Sequence, residues 1–111
     1  MLQTAADKDI LSIGVDANQN YLHPGKVLTS MLKRVDNAVY NSFKAGVDLE
    51  TGFNQMDLSN EGVGYSLDEH NETLITDEMK AAVEEAKAKI IAGDIKVHNY
   101  SSDESCPSYE F

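Results

Sequence analysis

Asp16 is the first residue whose position in this sequence indicates chemistry. It directly follows residues 10–15, ILSIGV, a short apolar run rich in β-branched side chains and typical of a strand covered on both faces, as in a parallel sheet. In an open α/β sheet, ligands bind at the carboxyl ends of the strands. An ionised carboxylate there accepts hydrogen bonds and donates none. The alternative is that Asp16 only caps the turn after the strand.

Two amide side chains, Asn18 and Gln19, lie in the polar segment that follows Asp16. Amides both donate and accept hydrogen bonds, so they suit the mouth of a ligand cleft. They equally suit a turn, where such side chains satisfy backbone groups. The sequence leaves both roles open for these two residues.

Metal, phosphate and catalytic motifs are not indicated. His23, His70 and His98 are far apart in the chain and have neither the i, i+4 spacing of a helical zinc site nor a cysteine partner. The GVG at residues 62–64 is too short for a phosphate-binding loop and lacks its lysine. The sequence therefore predicts no catalytic residue, no metal and no cofactor, and the protein is not expected to be an enzyme.

The charge of the chain argues against nucleic acids and anionic membrane surfaces as partners. Nineteen acidic residues against nine basic ones give a net charge of −10, whereas nucleic acids and anionic membrane surfaces bind basic patches.

Cys106 is the single cysteine, so no disulfide can form within the chain. The first ten residues, MLQTAADKDI, predict no signal peptide, because they lack a basic region followed by a long apolar one.

The elements that would position Asp16 are a strand at residues 10–15 and a long helix after it. Pro24 predicts the start of that helix, since proline is tolerated in a first turn. Apolar side chains then recur at three- and four-residue spacing, namely Val27, Leu28, Met31, Leu32, Val35, Ala38, Val39 and Phe43. This stripe predicts a helix to Lys44 that packs on the strand, with Gly46 ending it.

The rest of the chain predicts smaller elements. Residues 47–65 alternate loosely between apolar and polar, which indicates two short strands joined by a turn. Thr76 is the predicted N-cap of a second helix that ends at Gly93. Residues 98–111 mix serine, acids and proline, and we expect a disordered tail there. The predicted fold class is α/β, with two main helices packed on a small sheet in one domain, residues 1–97.

Three stretches closely resemble the basic membrane protein family of bacterial substrate-binding lipoproteins. They are IGVDANQNYLHPGKVLTSMLKRVDNAVY at residues 13–40, EGVGYS at 61–66 and LITDEMKAAVEEAKAKIIAGDIKV at 74–97. The resemblance covers about residues 8–97 and corresponds to the C-terminal third of family members. No lipobox stands in this chain.

The resemblance implies a partial type I periplasmic-binding-protein-like fold. Members of the family bind purine nucleosides in a cleft between two lobes and deliver them to the permease of an ABC importer without catalysis. An extracytoplasmic, membrane-anchored location is also implied. The family places a carboxylate at Asp16 to accept hydrogen bonds from ribose hydroxyls, and a lysine near the sugar, matched here by Lys33. On the predicted helix, Lys33 could equally be a solvent-facing side chain.

A second interpretation is a stand-alone structural or interaction module that has lost ligand binding. The resembled C-terminal third is completed by strands and helices from elsewhere in the family's longer chain. Here a sheet edge and apolar helix faces would stay uncovered, and such surfaces drive association. We therefore expect this chain to form a homodimer.

Overall fold

A computed structural model describes residues 1–100 of the 111-residue chain. The expected tail at residues 98–111 thus lies mostly outside the described residues, as does Cys106. The helices are α1 (Leu2–Asp7), α2 (Val35–Ala45) and α3 (Asp77–Ala92), the strands are β1 (Ser12–Asp16), β2 (Val27–Lys33) and β3 (Val63–Tyr65), and 3₁₀ turns span Asn20–Leu22 and Gly46–Asp48. This is a mixed α/β fold, as the sequence predicts.

The sheet has three strands in the order β1-β2-β3. β1 pairs with β2 in parallel, with Gly14 opposite Ser30 and Asp16 opposite Leu32. β3 pairs with β2 antiparallel, with Met31 opposite Tyr65. The predicted parallel strand before Asp16 is therefore present, and β2 is the central strand.

The helix predicted from Pro24 to Lys44 is wrong in its first half, which is a turn followed by β2. The backbone N–H of Lys26 donates to the carbonyl oxygen of His23 at 2.9 Å, and Gly25 has a φ of 74°. Proline followed by a glycine with positive φ is the signature of a type II turn. Pro24 and Gly25 therefore reverse the chain into a strand, and the helix begins only at Val35.

The region after α2 also differs from its prediction. Gly46 ends α2 as expected, with a φ of 55°. Of the two strands predicted in residues 47–65, only β3 is present. Phe53, in the place of the other, is 91% exposed, so its apolar side chain has no surface to pack against.

α3 follows its predicted bounds closely. The hydroxyl oxygen of Thr76 accepts a hydrogen bond from the backbone N–H of Met79, and Gly93 ends the helix in the left-handed conformation with a φ of 85°. Both ends are thus determined by local capping.

The core is small. Val27 is the one buried apolar side chain of the described residues. Ile13 and Val15 of β1 are more than half exposed, so the expectation that this strand is covered on both faces is wrong. α2 and α3 contain no buried residue. The sheet and helices therefore leave much of their apolar surface uncovered.

Two kinds of feature are absent from residues 1–100. No helix there is both long enough and apolar enough to cross a membrane. The same residues contain no group of three or more His, Cys, Asp or Glu side chains placed to hold a metal ion.

Candidate functional site

The candidate site lies at the carboxyl ends of the parallel strands β1 and β2. Asp16 is the last residue of β1, and Lys33 is the last residue of β2. Asp16 pairs with Leu32, so the two charged residues end adjacent strands at the same edge of the sheet. Lys33 therefore lies on a strand, and the prediction that it lies on a helix is wrong.

Asp16 has an unusual backbone conformation. Its φ is 74°, and the N–H of Ala17 donates to the carbonyl oxygen of Val15 at 3.0 Å. A hydrogen bond between residues i and i+2 around a positive φ is a strained form of γ-turn. For a residue with a Cβ, such a conformation costs of order 1–3 kcal/mol and persists only where the surrounding structure holds it.

The side chains of Asp16 and Lys33 are exposed. Among residues 1–100, neither has a hydrogen-bond or ion-pair partner. The alternative role of Asp16 as a turn cap thus has no hydrogen bond to support it. Asp16 offers a free carboxylate as an acceptor, and Lys33 offers a free ammonium as a donor. Because side chains alternate along a strand, Lys33 lies on the sheet face opposite to that of Leu32, the pairing partner of Asp16.

Asn18 and Gln19 are instead engaged within the protein. Asn18 donates through Nδ2 to Asp68 Oδ2 at 2.6 Å, and its Oδ1 accepts from the backbone N–H of Asn20 at 2.9 Å. Gln19 Oε1 accepts from the backbone N–H of Val15 at 3.0 Å. These contacts favour the interpretation in which the two amides satisfy the loop.

A buried polar cluster lies directly beneath this loop. Its buried members are Asn20, Ser30, Ser66 and Asn71. Asn20 Nδ2 donates to Ser66 Oγ at 2.9 Å, and Ser30 Oγ donates to Asn20 Oδ1 at 2.8 Å. Asn71 Nδ2 donates to the carbonyl oxygens of Leu28 and Ser66.

Every buried side-chain nitrogen and oxygen of the described residues has a hydrogen-bond partner. The cluster is therefore a structural one that joins the loop after β1, the central strand and the segment after β3. No sequence pattern predicts this cluster, because isolated asparagines and serines carry no signal that distinguishes burial from exposure.

Asp68 is the charged member of the cluster. The hydrogen bond from Asn18 is the main cause that lowers the pKa of the Asp68 carboxyl, and partial burial opposes it. The backbone N–H of His70 and the side chain of Asn20 also donate to this carboxylate. Asp68 is thus held ionised by donors within the protein.

A separate open groove of about 740 Å³ lies between the sheet and α3. Its lining includes Met31, Val63 and Tyr65 from the strands and Val83 and Ile90 from α3. The hydroxyl of Tyr65 donates to Glu84 Oε1 at 2.9 Å and joins the two walls. This hydrogen bond is the main cause that raises the pKa of Tyr65.

No protein-family model matches the chain. The search of curated proteins gives no significant match. Among solved structures, the chain is similar to an ABC transporter system solute-binding protein from Aeropyrum pernix K1, with 30% sequence identity and a TM-score of 0.63. The aligned part covers 85% of this chain and 35% of that protein.

The chain therefore spans about a third of the length of its structural neighbour. The predicted fold class is confirmed, since the chain has a partial periplasmic-binding-protein-like fold. The similarity supports the solute-binding class in general.

Proposed function

We propose that this chain is a solute-binding component, or part of one, of an ABC importer, and that it acts by binding rather than by catalysis. The similarity to a solute-binding protein supports the class. The single observation that carries the site is the free carboxylate of Asp16 at the carboxyl end of β1. Ligands of α/β sheets bind at such strand ends.

The proposed ligand class is a purine nucleoside. The resemblance to the basic membrane protein family supports it, because that family matches Asp16 with a carboxylate that binds ribose. Two adjacent hydroxyls of a ribose can each donate to one oxygen of a carboxylate, which is an acceptor only. Lys33, at the end of the adjacent strand, is the proposed donor to the sugar.

The chain presents one wall of the proposed cleft. It spans 35% of its structural neighbour, and Asp16 and Lys33 are open to solvent. One open wall buries little of a ligand and leaves most of the entropic cost of binding uncompensated. We therefore expect a dissociation constant of about 1 mM, equivalent to about 4 kcal/mol of binding free energy.

The proposals on partner and location rest on the resemblance to the basic membrane protein family and on the similarity to a solute-binding protein. The proposed partner of the complete receptor is an ABC transporter permease. The proposed location of the receptor is extracytoplasmic, with membrane anchoring as in the lipoprotein family. Residues 1–97 are the proposed binding unit. Of the proposed tail at residues 98–111, the part from residue 101 onward lies outside the described residues.

An NMR titration tests the nucleoside proposal. The backbone amide signals of the 111-residue chain are followed while inosine, or dideoxyinosine lacking both the 2′ and 3′ hydroxyls, is added to several millimolar. We expect inosine to shift the signals of Asp16, Ala17 and Lys33, and dideoxyinosine to leave them in place. Equal shifts with both compounds would contradict the role of Asp16 in binding the sugar.

The substitution Asp16→Ala provides a second test. Loss of hydrogen bonds to a charged acceptor weakens binding by about 1.5–3 kcal/mol. Asp48→Ala is the matched control, because Asp48 is also exposed and its side chain has no hydrogen-bond or ion-pair partner within residues 1–100. If Asp16→Ala binds inosine with an affinity within twofold of that of the unmodified chain, Asp16 is not part of the site.

A second candidate function is an interaction module, with another copy of this chain as the partner. The observation in its favour is the apolar stripe of Val35, Val39 and Phe43 on α2, spaced four residues apart and more than half exposed. Tyr40 beside it is 64% exposed. Aromatic side chains bury about 150–250 Å² each, so this stripe is a substantial part of the roughly 800 Å² per partner that a stable dimer needs.

Sedimentation equilibrium tests the dimer. At tens of micromolar and physiological salt, where charges are screened beyond about 8 Å, we expect the mass of a dimer and a shift toward monomer in Phe43→Asp. Lys44→Asp, a neighbouring helix position, is the control that should keep the dimer. A mass of 12.2 kDa, that of a monomer, under these conditions would contradict the dimer proposal.

A further inference from the structure

A chain of hydrogen bonds links a buried asparagine to the carboxyl end of β1. Asn20 is fully buried, and its Oδ1 accepts from Ser30 Oγ at 2.8 Å. Ser30 Oγ in turn accepts from the backbone N–H of Gln19 at 3.0 Å. Gln19 Oε1 then accepts from the backbone N–H of Val15 at 3.0 Å. This series of hydrogen bonds ends at Val15, one residue before Asp16.

Both polar backbone groups of Val15 are thereby occupied. Its N–H is bonded to Gln19, and its carbonyl oxygen accepts from the N–H of Ala17 at 3.0 Å. Asp16 lies between these two anchors with its φ of 74°. Since a positive φ in a residue with a Cβ needs an external constraint, the Gln19 amide is the side chain placed to supply it.

The fit around Gln19 is close. A Cβ on Gly14 would lie 2.4 Å from Ser30 Oγ and 2.9 Å from Gln19 Oε1. The loop therefore lies directly against β1, and the absence of a side chain at residue 14 allows the approach. Because the partner at Val15 is a donor, the oxygen of the Gln19 amide and not its nitrogen must face the strand.

We propose that Gln19 is a positioning residue for ligand binding: through the N–H of Val15 it holds the Asp16 carboxylate in the orientation that receives the ligand hydroxyls. The inference rests on the proposed function, because it requires that Asp16 binds the ligand. A carboxylate that is already oriented loses less conformational freedom on binding, and this increases affinity. Gln19 itself need not touch the ligand.

Three variants separate positioning from general stability. Gln19→Met keeps the length of the side chain but removes the acceptor, and Gln19→Glu keeps an oxygen in its place. Gln19 is half-buried, so methionine is accommodated there. Thr76→Ala is the control for stability, since it removes the N-cap hydrogen bond of α3 and touches none of these residues.

The first measurement is the NMR titration with inosine and dideoxyinosine on all three variants. We expect Gln19→Met to weaken inosine binding about three- to tenfold because the preorganisation of Asp16 is lost. Gln19→Glu and Thr76→Ala should stay within twofold of the unmodified chain. Unchanged inosine affinity in Gln19→Met overturns the inference, and so does an equal loss in Thr76→Ala.

The second measurement does not depend on a ligand. The φ of Asp16 is determined by NMR couplings in the unmodified chain, in Gln19→Met and in Gln19→Glu. Loss of the positive φ in Gln19→Met with retention in Gln19→Glu supports the positioning role, and retention in both overturns it. If the unmodified chain does not discriminate inosine from dideoxyinosine, the nucleoside proposal fails, and this second measurement alone decides the role of Gln19.

Discussion

Asn18 Nδ2 lies 2.6 Å from Asp68 Oδ2, although the two residues are 50 positions apart in the chain. The hydrogen bond joins the loop after β1 to the segment after β3, at the edge of the buried polar cluster. Asp68 also accepts from Asn20 and from the backbone N–H of His70. One carboxylate therefore connects the loop after β1 with the segment after β3, below the candidate site.

This connection predicts a loss of stability in acid. The donors lower the pKa of Asp68 in the folded state, with Asn18 as the main cause, relative to about 3.9 in an unfolded chain. The stabilisation is therefore present above about pH 4 and is lost as the pH falls through the lower folded-state pKa. Denaturant unfolding between pH 6 and pH 2 should show a smaller pH dependence in Asp68→Asn than in the unmodified chain.

Other acidic groups titrate in the same range, so a control is needed for the acid prediction. Asp48→Asn removes an equal charge from an exposed position. We expect it to keep the pH dependence of the unmodified chain. Parallel curves for all three proteins would show that Asp68 contributes nothing to acid stability.

A loss of stability in alkali is predicted from the hydrogen bond between Tyr65 on β3 and Glu84 on α3. The hydrogen bond to Glu84 is the main cause that raises the pKa of Tyr65 in the folded state, above the ordinary value of about 10. The stabilisation is thus fully present below about pH 10 and is lost as the pH rises through the higher folded-state pKa. Tyr65→Phe should reduce the difference in thermal stability between pH 8 and pH 11, whereas Tyr21→Phe at an exposed position should not.

Val27 and Val47 provide a direct test of the small core. Val27 is fully buried, and Val47 is fully exposed at 101%. Removing two buried methyl groups in Val27→Ala should lower the free energy of unfolding by about 1–3 kcal/mol. Val47→Ala makes the same chemical change and should leave it within about 0.5 kcal/mol. Similar values for both in denaturant titrations would show that β2 is not the centre of the core.

The close approach at Gly14 predicts that even alanine is costly there. A Cβ at this position would lie 2.4 Å from Ser30 Oγ, so Ser30 must move and its hydrogen bonds to Asn20 and Gln19 must weaken. We expect Gly14→Ala to destabilise the protein by about 1–3 kcal/mol. Gly64→Ala is the matched control, because a Cβ there would have no atom within 4 Å apart from those of its chain neighbours. A melting temperature equal to the control's would contradict the prediction.

The sequence predicts those parts of the fold whose causes are local. Thr76 and Gly93 determine the ends of α3 through capping, and both are recognisable from a few neighbouring residues. Pro24 and Gly25 are also local, but the same pair fits a helix start and a type II turn. The spacing of Val27 and Met31 fits a helix face, and only pairing with β1 and β3 makes this segment a strand.

The same distinction between local and distant causes applies to the candidate site. Asp16 is recognisable because a carboxylate directly follows an apolar strand. The hydrogen bond from Val15 to Gln19 beside it, and the proposed role of Gln19, involve contacts with Ser30 and the buried cluster. Such contacts join residues that are distant in the chain, and single asparagines or serines give no sequence signal for them.

The span of the polar cluster along the chain has a consequence for folding kinetics. Asn20 and Ser30 are 10 positions apart, whereas Ser66 reaches Ser30 across 36 and Asn20 across 46. Closing the longer loops costs more entropy, so we expect the contacts of Ser66 to form after the rate-limiting step of folding. Stopped-flow tyrosine fluorescence should then show that Ser66→Ala accelerates unfolding while leaving the refolding rate nearly unchanged. An equally slowed refolding would place Ser66 in the folding nucleus instead.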